Sequence, residues 1–183
     1  MTSGANAILV HDHGVTRLRM EVLAPAHAPV LLAGLGDPRL YEYIPDDPVL
    51  SLTELTARFE HLAAGCQERG EVWRNWVMFA KSDDRVIGTL QASVFANRRA
   101  TIAYMVLPPY WGQGLAAEGV SWMLCEIAAR DHVEWAEAFI DTRNTASLRL
   151  VERLGFHRRT TIVAADAFKG SSSDEYVYEK RIV

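Results

Sequence analysis

Cysteine is scarce in this sequence, which contains two cysteines among 183 residues, Cys66 and Cys125. Neither belongs to a Cys-x-x-Cys pair or to a Cys and His spacing that binds zinc, which excludes a disulfide framework and a structural zinc site. Both lie in stretches with helical patterning, and we expect them to be buried thiols in a reducing compartment. The six histidines form no metal-binding spacing either, so we predict no metal.

Long apolar runs and an excess of positive charge are also missing. No stretch reaches the roughly 18 consecutive apolar residues that span a bilayer, and the N-terminus lacks a basic region followed by an apolar core. The 19 Lys and Arg residues against 23 Asp and Glu residues leave a net charge of -4. That sign does not suit a surface that gathers nucleic acid. We therefore expect a cytoplasmic protein with no membrane and no nucleic-acid partner.

The length and composition fit one compact domain. Of the 183 residues, 49% are hydrophobic and 23% are charged, as is typical of a globular protein with one core. Residues 1–14 have no clear periodicity. We predict a flexible N-terminal segment there and a single domain over residues 15–183.

The pattern of apolar residues predicts a mixed α/β fold. Ser51 and Glu54 have the spacing of a capping box, which indicates where the second helix begins. Short polar turns indicate an antiparallel meander followed by one βαβ crossover, and a Gly-Ser loop over residues 170–173 separates the last two strands. The predicted strands are 17–23, 76–81, 86–95, 101–107, 136–141, 156–163 and 176–182, and the predicted helices are 26–34, 52–65, 116–128 and 147–154.

The stretch Tyr104–Ala117 reads YMVLPPYWGQGLAA and predicts a strand, a turn with two glycines and a helix in direct succession. The first N–H groups of such a helix have no partner within it and attract anions. Gly112 and Gly114 permit a close backbone approach that a Cβ would block. The sequence therefore indicates a phosphate site, although a flexible helix entry without a ligand remains the simpler alternative.

A dinucleotide site is one interpretation of this loop. Gly112, Gly114 and Ala117 satisfy G-x-G-x-x-A, and Asp141 ends the next predicted strand, where a ribose-binding carboxylate would lie. Against this, a three-strand meander precedes the loop, and too little chain follows Asp141 to complete a doubly wound sheet. An NAD-dependent oxidoreductase is therefore a remote alternative.

The same loop resembles that of the GNAT superfamily of acyl-CoA-dependent N-acyltransferases, in particular its RimJ/RimL-like branch. The family's [RQ]-x-x-G-x-[GA] loop reads Trp111-Gly112-Gln113-Gly114-Leu115-Ala116 here, with Trp111 in the place of the usual Arg or Gln. Trp111 is familiar in this branch, but it removes one cationic partner for phosphate. Asn144-Thr145-Ala146-Ser147 and Leu154-Gly155-Phe156 resemble the family's N-x-x-S helix start and L-G-F strand entry. The resemblance covers Thr16 to Ile182.

The resemblance implies a GNAT fold, which is a largely antiparallel twisted sheet with a central splayed parallel pair and flanking helices. It also implies that acetyl-CoA is the cosubstrate and lies in a slot between residues 101–107 and 136–141. The backbone of Val106 and Leu107 would bind the pantetheine arm and place an N–H on the thioester oxygen, where charge develops as the amine attacks directly. The implied cofactor-binding residues are Val106, Leu107, Trp111, Gly112, Gln113, Gly114, Leu115, Ala116, Asn144 and Ser147.

The groups that usually move protons in this family are missing. Many relatives carry a Glu where this chain has Thr101 and a Tyr where it has Val151. Ser147 is then the best candidate to protonate the leaving thiolate, with a capping or packing role as the alternative. Tyr104 and Asp141 are candidates for the general base that accepts the amine proton, and the loop carboxylates of Glu42, Asp46 and Asp47 are further candidates.

The amine acceptor is expected to meet the segment Tyr41–Pro48, because loops before the second helix shape the acceptor pocket in relatives. Tyr41, Glu42, Asp46 and Asp47 are the candidate substrate-binding residues, and the carboxylates suit a cationic acceptor. The expected activity is acetyl transfer to a primary amine on a peptide N-terminus or a small molecule. A non-catalytic acyl-CoA-binding or sensing module is the alternative, and a homodimer formed through exposed strand edges stays open.

Overall fold

A computed structural model describes residues 13–66 and 70–183 of the chain. Most of the predicted flexible segment, residues 1–12, lies outside the described residues. Within the described ranges, no helix combines the length and apolarity needed to cross a bilayer. The elements are β1 (Leu18–Val22), α1 (Ala28–Leu35), α2 (Leu52–Ala64), β2 (Glu71–Ala80), β3 (Val86–Phe95), β4 (Arg99–Val106), α3 (Leu115–Asp131), β5 (Trp135–Asp141), α4 (Thr145–Arg153), β6 (His157–Phe168) and β7 (Ser171–Arg181).

All seven strands form one mixed sheet in the order β1-β2-β3-β4-β5-β7-β6. Strands β1 to β4 form an antiparallel meander, β4 and β5 are parallel, and β7 lies antiparallel between β5 and β6. Because α3 connects the parallel pair, it crosses one face of the sheet, as a βαβ unit requires. The predicted order of strands and helices and the mixed α/β class are confirmed.

The last hairpin is tighter than its sequence suggests. The Gly-Ser loop expected over residues 170–173 is wrong, because β6 continues to Phe168 and β7 already begins at Ser171. The turn needs only Lys169 and Gly170, which have φ values of 51° and 76°. Serines in this stretch pair with the opposite strand, with Ser173 opposite Asp166. Backbone pairing therefore overrides the low strand propensity of the serines.

The cysteines depart from expectation. Cys125 is exposed and Cys66 is half-buried just after α2, so the prediction of two buried thiols is wrong. Cys125 shares its outward helix face with Ser121 and Ala129, which are also exposed. The three residues are four positions apart, so they lie on the same face of α3.

Two cores sandwich the sheet, and the larger one seats α3 closely on the strands. Trp76 of β2 and Trp122 of α3 are each 1% exposed, and their rings meet edge to face at 5.4 Å. Gly119 allows this approach, because a Cβ there would lie 2.5 Å from Met78 Sδ. The close seating fixes the position of the N-terminus of α3 relative to the sheet. The other core packs α1 and α2 against the opposite face.

Ser51→Ala is expected to lower the free energy of unfolding by about 1 kcal/mol, because it removes the N-cap of α2. Ser51 Oγ accepts a hydrogen bond from the amide of Glu54 at 3.2 Å, as the capping spacing predicts. Urea unfolding followed by circular dichroism measures the change. Ser51→Asp keeps an acceptor at this position and should retain wild-type stability, and an alanine variant as stable as the aspartate variant would contradict the capping role.

Candidate functional site

Strands β4 and β5 separate after a short contact and leave a slot in the middle of the sheet. Their parallel pairing covers Arg99–Thr101 against Trp135–Glu137, although β4 continues to Val106 and β5 to Asp141. A chain segment or ligand between the two strands would find the backbone of both strands within reach. This is the splayed parallel pair that the sequence resemblance implies.

Along β4, the backbone N–H and C=O groups of successive residues point alternately towards β3 and towards the slot. The amide of Leu107 donates to the carbonyl of Ile87 on β3 at 2.8 Å, so Leu107 is committed to the sheet. Alternate residues of an antiparallel strand direct their polar groups to opposite sides. Tyr104 and Val106 therefore direct their backbone groups away from β3 and into the slot. Of the two residues expected to bind an extended ligand through their backbone, Val106 has the suitable orientation.

The glycine loop lies between the end of β4 and the start of α3. Gly112 and Gly114 have φ values of 73° and 75°, the left-handed region that favours glycine. A Cβ on Gly112 would meet no atom within 4 Å. The first helical hydrogen bond runs from the amide of Glu118 to the carbonyl of Gly114 at 3.2 Å. Since no described side chain caps this helix, the amides of residues 115–117 are available to an anion.

Two side chains tie the glycine loop to the end of β4 and to the turn that follows it. Trp111 Nε1 donates to the carbonyl of Val106 at 2.5 Å, and Gln113 Nε2 donates to the carbonyl of Pro109 at 3.0 Å. Leu115 is 7% exposed, so its side chain belongs to the core and only its backbone faces the loop. Trp111 thus occupies the carbonyl of Val106 and leaves the amide of that residue to face the slot.

Tyr104 and Ser147 come together across the slot, one from β4 and the other from the first turn of α4. Among the described residues, the Tyr104 hydroxyl is buried without a well-aligned hydrogen bond, and Ser147 is the polar side chain that acts on it. Burial raises the pKa of Tyr104, and Ser147 opposes this shift only in part. Tyr104 is therefore protonated at neutral pH and suits a donor better than a base. Asn144 caps α4, because its Oδ1 accepts from the amide of Ser147 at 3.1 Å.

Asp141 is held as a structural anion at the end of β5. Its carboxylate accepts hydrogen bonds from Arg143 Nη2 and from Ser173 Oγ, both at 2.6 Å. Chiefly because of Arg143, these bonds outweigh desolvation and lower the pKa of Asp141 to about 2. A carboxylate with such a pKa accepts protons poorly. Through Ser173, Asp141 instead connects β5 to β7. These contacts do not support the expected role of Asp141 as a base.

Glu175 is a carboxylate beside the end of β5 that sequence reasoning missed. It is half-buried on β7, opposite Asp141 of β5 and Ile162 of β6. Burial raises the pKa of Glu175, and the neighbouring carboxylates of Asp166 and Asp141 raise it further. A carboxylate with a raised pKa accepts protons more readily near neutral pH. No motif or spacing marks this residue, because only the register of β7 brings it to the end of β5.

The segment 41–48 is attached to the turn between β6 and β7. Lys169 Nζ donates to the carbonyl of Tyr41 and, at 2.9 Å, to that of Ile44. The side chain of Tyr41 is 2% exposed, and its hydroxyl donates to the carbonyl of Leu35 at 2.7 Å. Tyr41 therefore serves the packing of this segment and does not present its side chain to an acceptor.

The carboxylates of this segment differ in their surroundings. Glu42, Asp46 and Asp47 are all exposed, but Asp46 is paired with Arg58 of α2 at 2.9 Å. Asp141 chiefly, and Glu42 more weakly, raise the pKa of Arg143, which follows β5, so Glu42 lies close enough to this end of β5 to interact with it. Glu42 and Asp47 are thus the acidic groups best placed to attract a cation. Across residues 13–66 and 70–183, no group of three or more His, Cys, Asp or Glu side chains could hold a metal ion.

Comparisons with known proteins point to one family. The acetyltransferase (GNAT) domain family matches residues 17–157. An uncharacterized N-acetyltransferase, p20, of Bacillus licheniformis is 25% identical over 164 residues, which cover 88% of this chain and 91% of that protein.

Solved structures share the fold. One is the Salmonella typhimurium acetyltransferase that modifies the N-terminal serine of the 50S ribosomal subunit protein L7/L12. It is 19% identical, with a TM-score of 0.81 over 97% of this chain and 100% of that chain. Another is the spermidine N-acetyltransferase from Vibrio cholerae in complex with CoA and spermine. It is 15% identical, with a TM-score of 0.76 over 90% of this chain and 95% of that chain.

Proposed function

This chain belongs to the GNAT acetyltransferase family, and we propose that it transfers an acetyl group from acetyl-CoA to a cationic primary amine at the acidic end of the slot. N-acetyltransferase activity and the GNAT fold, which the sequence resemblance implies, are confirmed by the family match and the shared fold. The dinucleotide alternative is wrong. It requires a doubly wound parallel sheet, whereas β4 and β5 are the parallel pair among the described strands.

The residues present fit acetyl-CoA. The left-handed glycines and the uncapped amides of residues 115–117 form an opening that suits a diphosphate. The slot-facing amide of Val106 suits an amide or thioester oxygen of the extended arm. When bound, acetyl-CoA supplies an activated acyl group that an amine can attack. The observation that carries the proposal is this opening at the mouth of the slot between β4 and β5.

We assign proton donation to Tyr104 and Ser147. A thiolate leaving group needs a proton, and the residue that usually supplies it in this family is replaced by Val151, which is fully buried in the core. Tyr104 is held protonated by burial and faces Ser147. The pair can pass a proton from the phenol through the serine hydroxyl towards the slot, which makes Ser147 the donor and Tyr104 its source.

We assign the general base to Glu175. An amine acceptor is mostly protonated at neutral pH, so a group near the slot must accept its proton before attack. Glu175 lies opposite Asp141 at the end of β5, and its raised pKa suits this step, whereas the low pKa of Asp141 does not. The surrounding carboxylates also favour the approach of a positively charged amine.

The acceptor we propose is a primary amine that carries further positive charge, such as spermidine or a peptide with a basic N-terminal region. The support is the carboxylates of Glu42 and Glu175 near the end of β5 and the exposed carboxylate of Asp47 in the same segment as Glu42. The proteins of shared fold named above act on a protein N-terminus and on a polyamine, and both acceptor classes contain primary amines.

Neutralising Glu42 and Asp47 together, as Glu42→Gln with Asp47→Asn, is expected to raise the KM for spermidine by about threefold to tenfold. The reason is the loss of two exposed charge interactions, each worth up to about 1 kcal/mol. The affinity for acetyl-CoA should stay unchanged, because the glycine loop is not altered. Steady-state kinetics measures the KM. Glu60→Gln, an exposed change on α2, is the control, and an unchanged KM in the double variant would remove the acidic acceptor site.

The proposed function is tested by binding and then by transfer. Thermal shift and calorimetry with CoA, acetyl-CoA, longer acyl-CoAs and NAD should show stabilisation by the CoA compounds and not by NAD. Thiol release in the presence of acetyl-CoA and a panel of polyamines, peptides and small amines should then identify the acceptor class. Binding of acetyl-CoA without transfer to any amine would favour the acyl-CoA-binding module instead.

A further inference from the structure

Arg17, which directly precedes β1, contacts the glycine loop. Its Nη1 donates to the carbonyl of Gln113 at 2.8 Å, and its Nε donates to Glu118 Oε2 at 2.7 Å. Its Nη2 lies 3.6 Å from the position that a Cβ on Gly114 would take. This places a guanidinium beside Gln113 and Gly114 at the start of α3, about a hundred residues away in sequence.

The backbone of Arg17 is hydrogen-bonded on both sides of its Cα. Its carbonyl accepts from the amide of Lys81 at 2.9 Å, and its own amide donates to Glu118 Oε1 at 2.8 Å. The amide of Thr16 donates to the same oxygen at 3.0 Å. The guanidinium is hydrogen-bonded at Nε and Nη1, so it loses less conformational freedom on binding a ligand than an unbonded side chain would, which favours affinity.

The loop itself lacks a cation. Trp111 stands where the family usually has Arg or Gln, and its indole is occupied by the carbonyl of Val106. Arg39 lies over the Trp111 ring at 5.7 Å. However, its Nε and Nη2 both donate to the carboxylate of Asp37, at 3.0 Å and 2.6 Å. Arg17, in contrast, uses Nε and Nη1 for its hydrogen bonds. Its Nη2 lies near Gly114 and makes no hydrogen bond to another described residue.

We propose that Arg17 binds the phosphate groups of the acyl donor and supplies the cation that Trp111 removes from the loop. This inference rests on the proposed function, because it needs CoA as the ligand. An arginine fork matches phosphate geometry and forms charge-assisted hydrogen bonds. An arginine thus still serves the phosphate groups in this protein, but it comes from the segment before β1 and not from the glycine loop.

Glu118 is the positioning residue for Arg17. It lies in the first turn of α3, where it holds the Arg17 side chain and two backbone amides. Without Arg17, its carboxylate would face an incoming diphosphate with no neutralising partner. Loss of Arg17 therefore weakens binding twice, through the missing donor and through repulsion from Glu118.

The test compares two arginines with matching contacts at opposite ends of α3. Arg98 donates to the carbonyl of His132 at 3.2 Å and pairs with Glu134 at 2.7 Å, just as Arg17 contacts a carbonyl and a glutamate. Arg17→Met should raise the Kd for CoA by about tenfold or more, whereas Arg98→Met should leave it within about twofold. Arg17→Lys keeps the charge without the fork and should fall between wild type and Arg17→Met. Calorimetry with CoA at low and high salt measures the affinities, and thermal unfolding of the free variants confirms that they fold.

The outcomes separate this inference from the proposed function. A tenfold loss confined to Arg17→Met, with a weaker dependence of Kd on salt, supports the phosphate contact. An Arg17→Met variant that folds and binds CoA like wild type overturns it and leaves the proposed function intact. Equal losses in Arg17→Met and Arg98→Met overturn it as well, since they would report net charge alone. A wild-type protein that does not bind CoA overturns the proposed function, and this inference fails with it.

Discussion

Gly114→Asp is expected to lower the affinity for CoA by about a thousandfold while the protein stays folded. Gly114 is the N-cap of α3 and has a left-handed backbone. Aspartate tolerates this backbone better than most residues and is a favourable N-cap, so the helix should persist. Its carboxylate, however, would lie beside Arg17 Nη2, where we propose that the diphosphate binds, so it would both repel the phosphate and occupy that guanidinium. Two like charges about 4 Å apart near a protein surface repel by about 4 kcal/mol, which corresponds to roughly three orders of magnitude in Kd.

Gly114→Asn is the matched control for this prediction. It has nearly the same shape and backbone tolerance but carries no charge, so it isolates the steric effect of a side chain. We expect it to lose about tenfold in affinity, much less than the aspartate variant. Calorimetry with CoA measures both, and circular dichroism melting confirms the fold. Equal affinities of the two variants would show that phosphate charge is not bound at this helix end.

Ser147→Ala and Tyr104→Phe are each expected to lower kcat by about a hundredfold, with little change in the affinity for acetyl-CoA. The magnitude is that of a lost general acid. The Tyr104 hydroxyl makes no well-aligned hydrogen bond among the described residues, so its removal should not destabilise the fold. If the two hydroxyls act in one relay, the double variant should be no slower than either single variant. Single-turnover kinetics separates the chemical step from binding.

The pH profile gives this pair a second readout. Burial raises the pKa of Tyr104 above its ordinary value, so the phenol keeps its proton throughout the neutral and mildly alkaline range. A loss of kcat caused by its ionisation is therefore expected only above the ordinary tyrosine pKa, and Tyr104→Phe should abolish it. Thr145→Ala, an exposed change in the same turn of α4, is the control. An undiminished kcat in Ser147→Ala would contradict proton donation by Ser147 and leave it a structural role only.

The glycine loop could be predicted from the sequence because its physics is local. Two glycines between a strand and a helix determine both the left-handed turn and the uncapped amides, and these residues are consecutive. The same holds for the cap at Ser51 and for the helical cap at Asn144, whose acceptors lie three residues from their donors. Such features depend on short spacings that a sequence displays directly.

The chemistry across strands could not be predicted in this way. The approach of Tyr104 to Ser147 depends on how far β4 and β5 separate, and the raised pKa of Glu175 depends on the register of β7. From the sequence alone, Asp141 is a candidate base because it ends a predicted strand. Hydrogen bonds from Arg143 and Ser173 instead keep the Asp141 carboxylate ionised. Ser173 lies on β7, thirty-two residues after Asp141 in the sequence. Long-range pairing therefore decides which carboxylate can accept a proton.

The indole bond from Trp111 to the carbonyl of Val106 joins the two ends of the donor site into one unit. The loop that suits the diphosphate and the strand that suits the reacting end of the arm are held at a constant separation. A donor can engage both only if its arm has the matching length. Truncated donors would therefore occupy one end at a time, and this enzyme would select among thioesters by the size of the carrier before it distinguishes the acyl group.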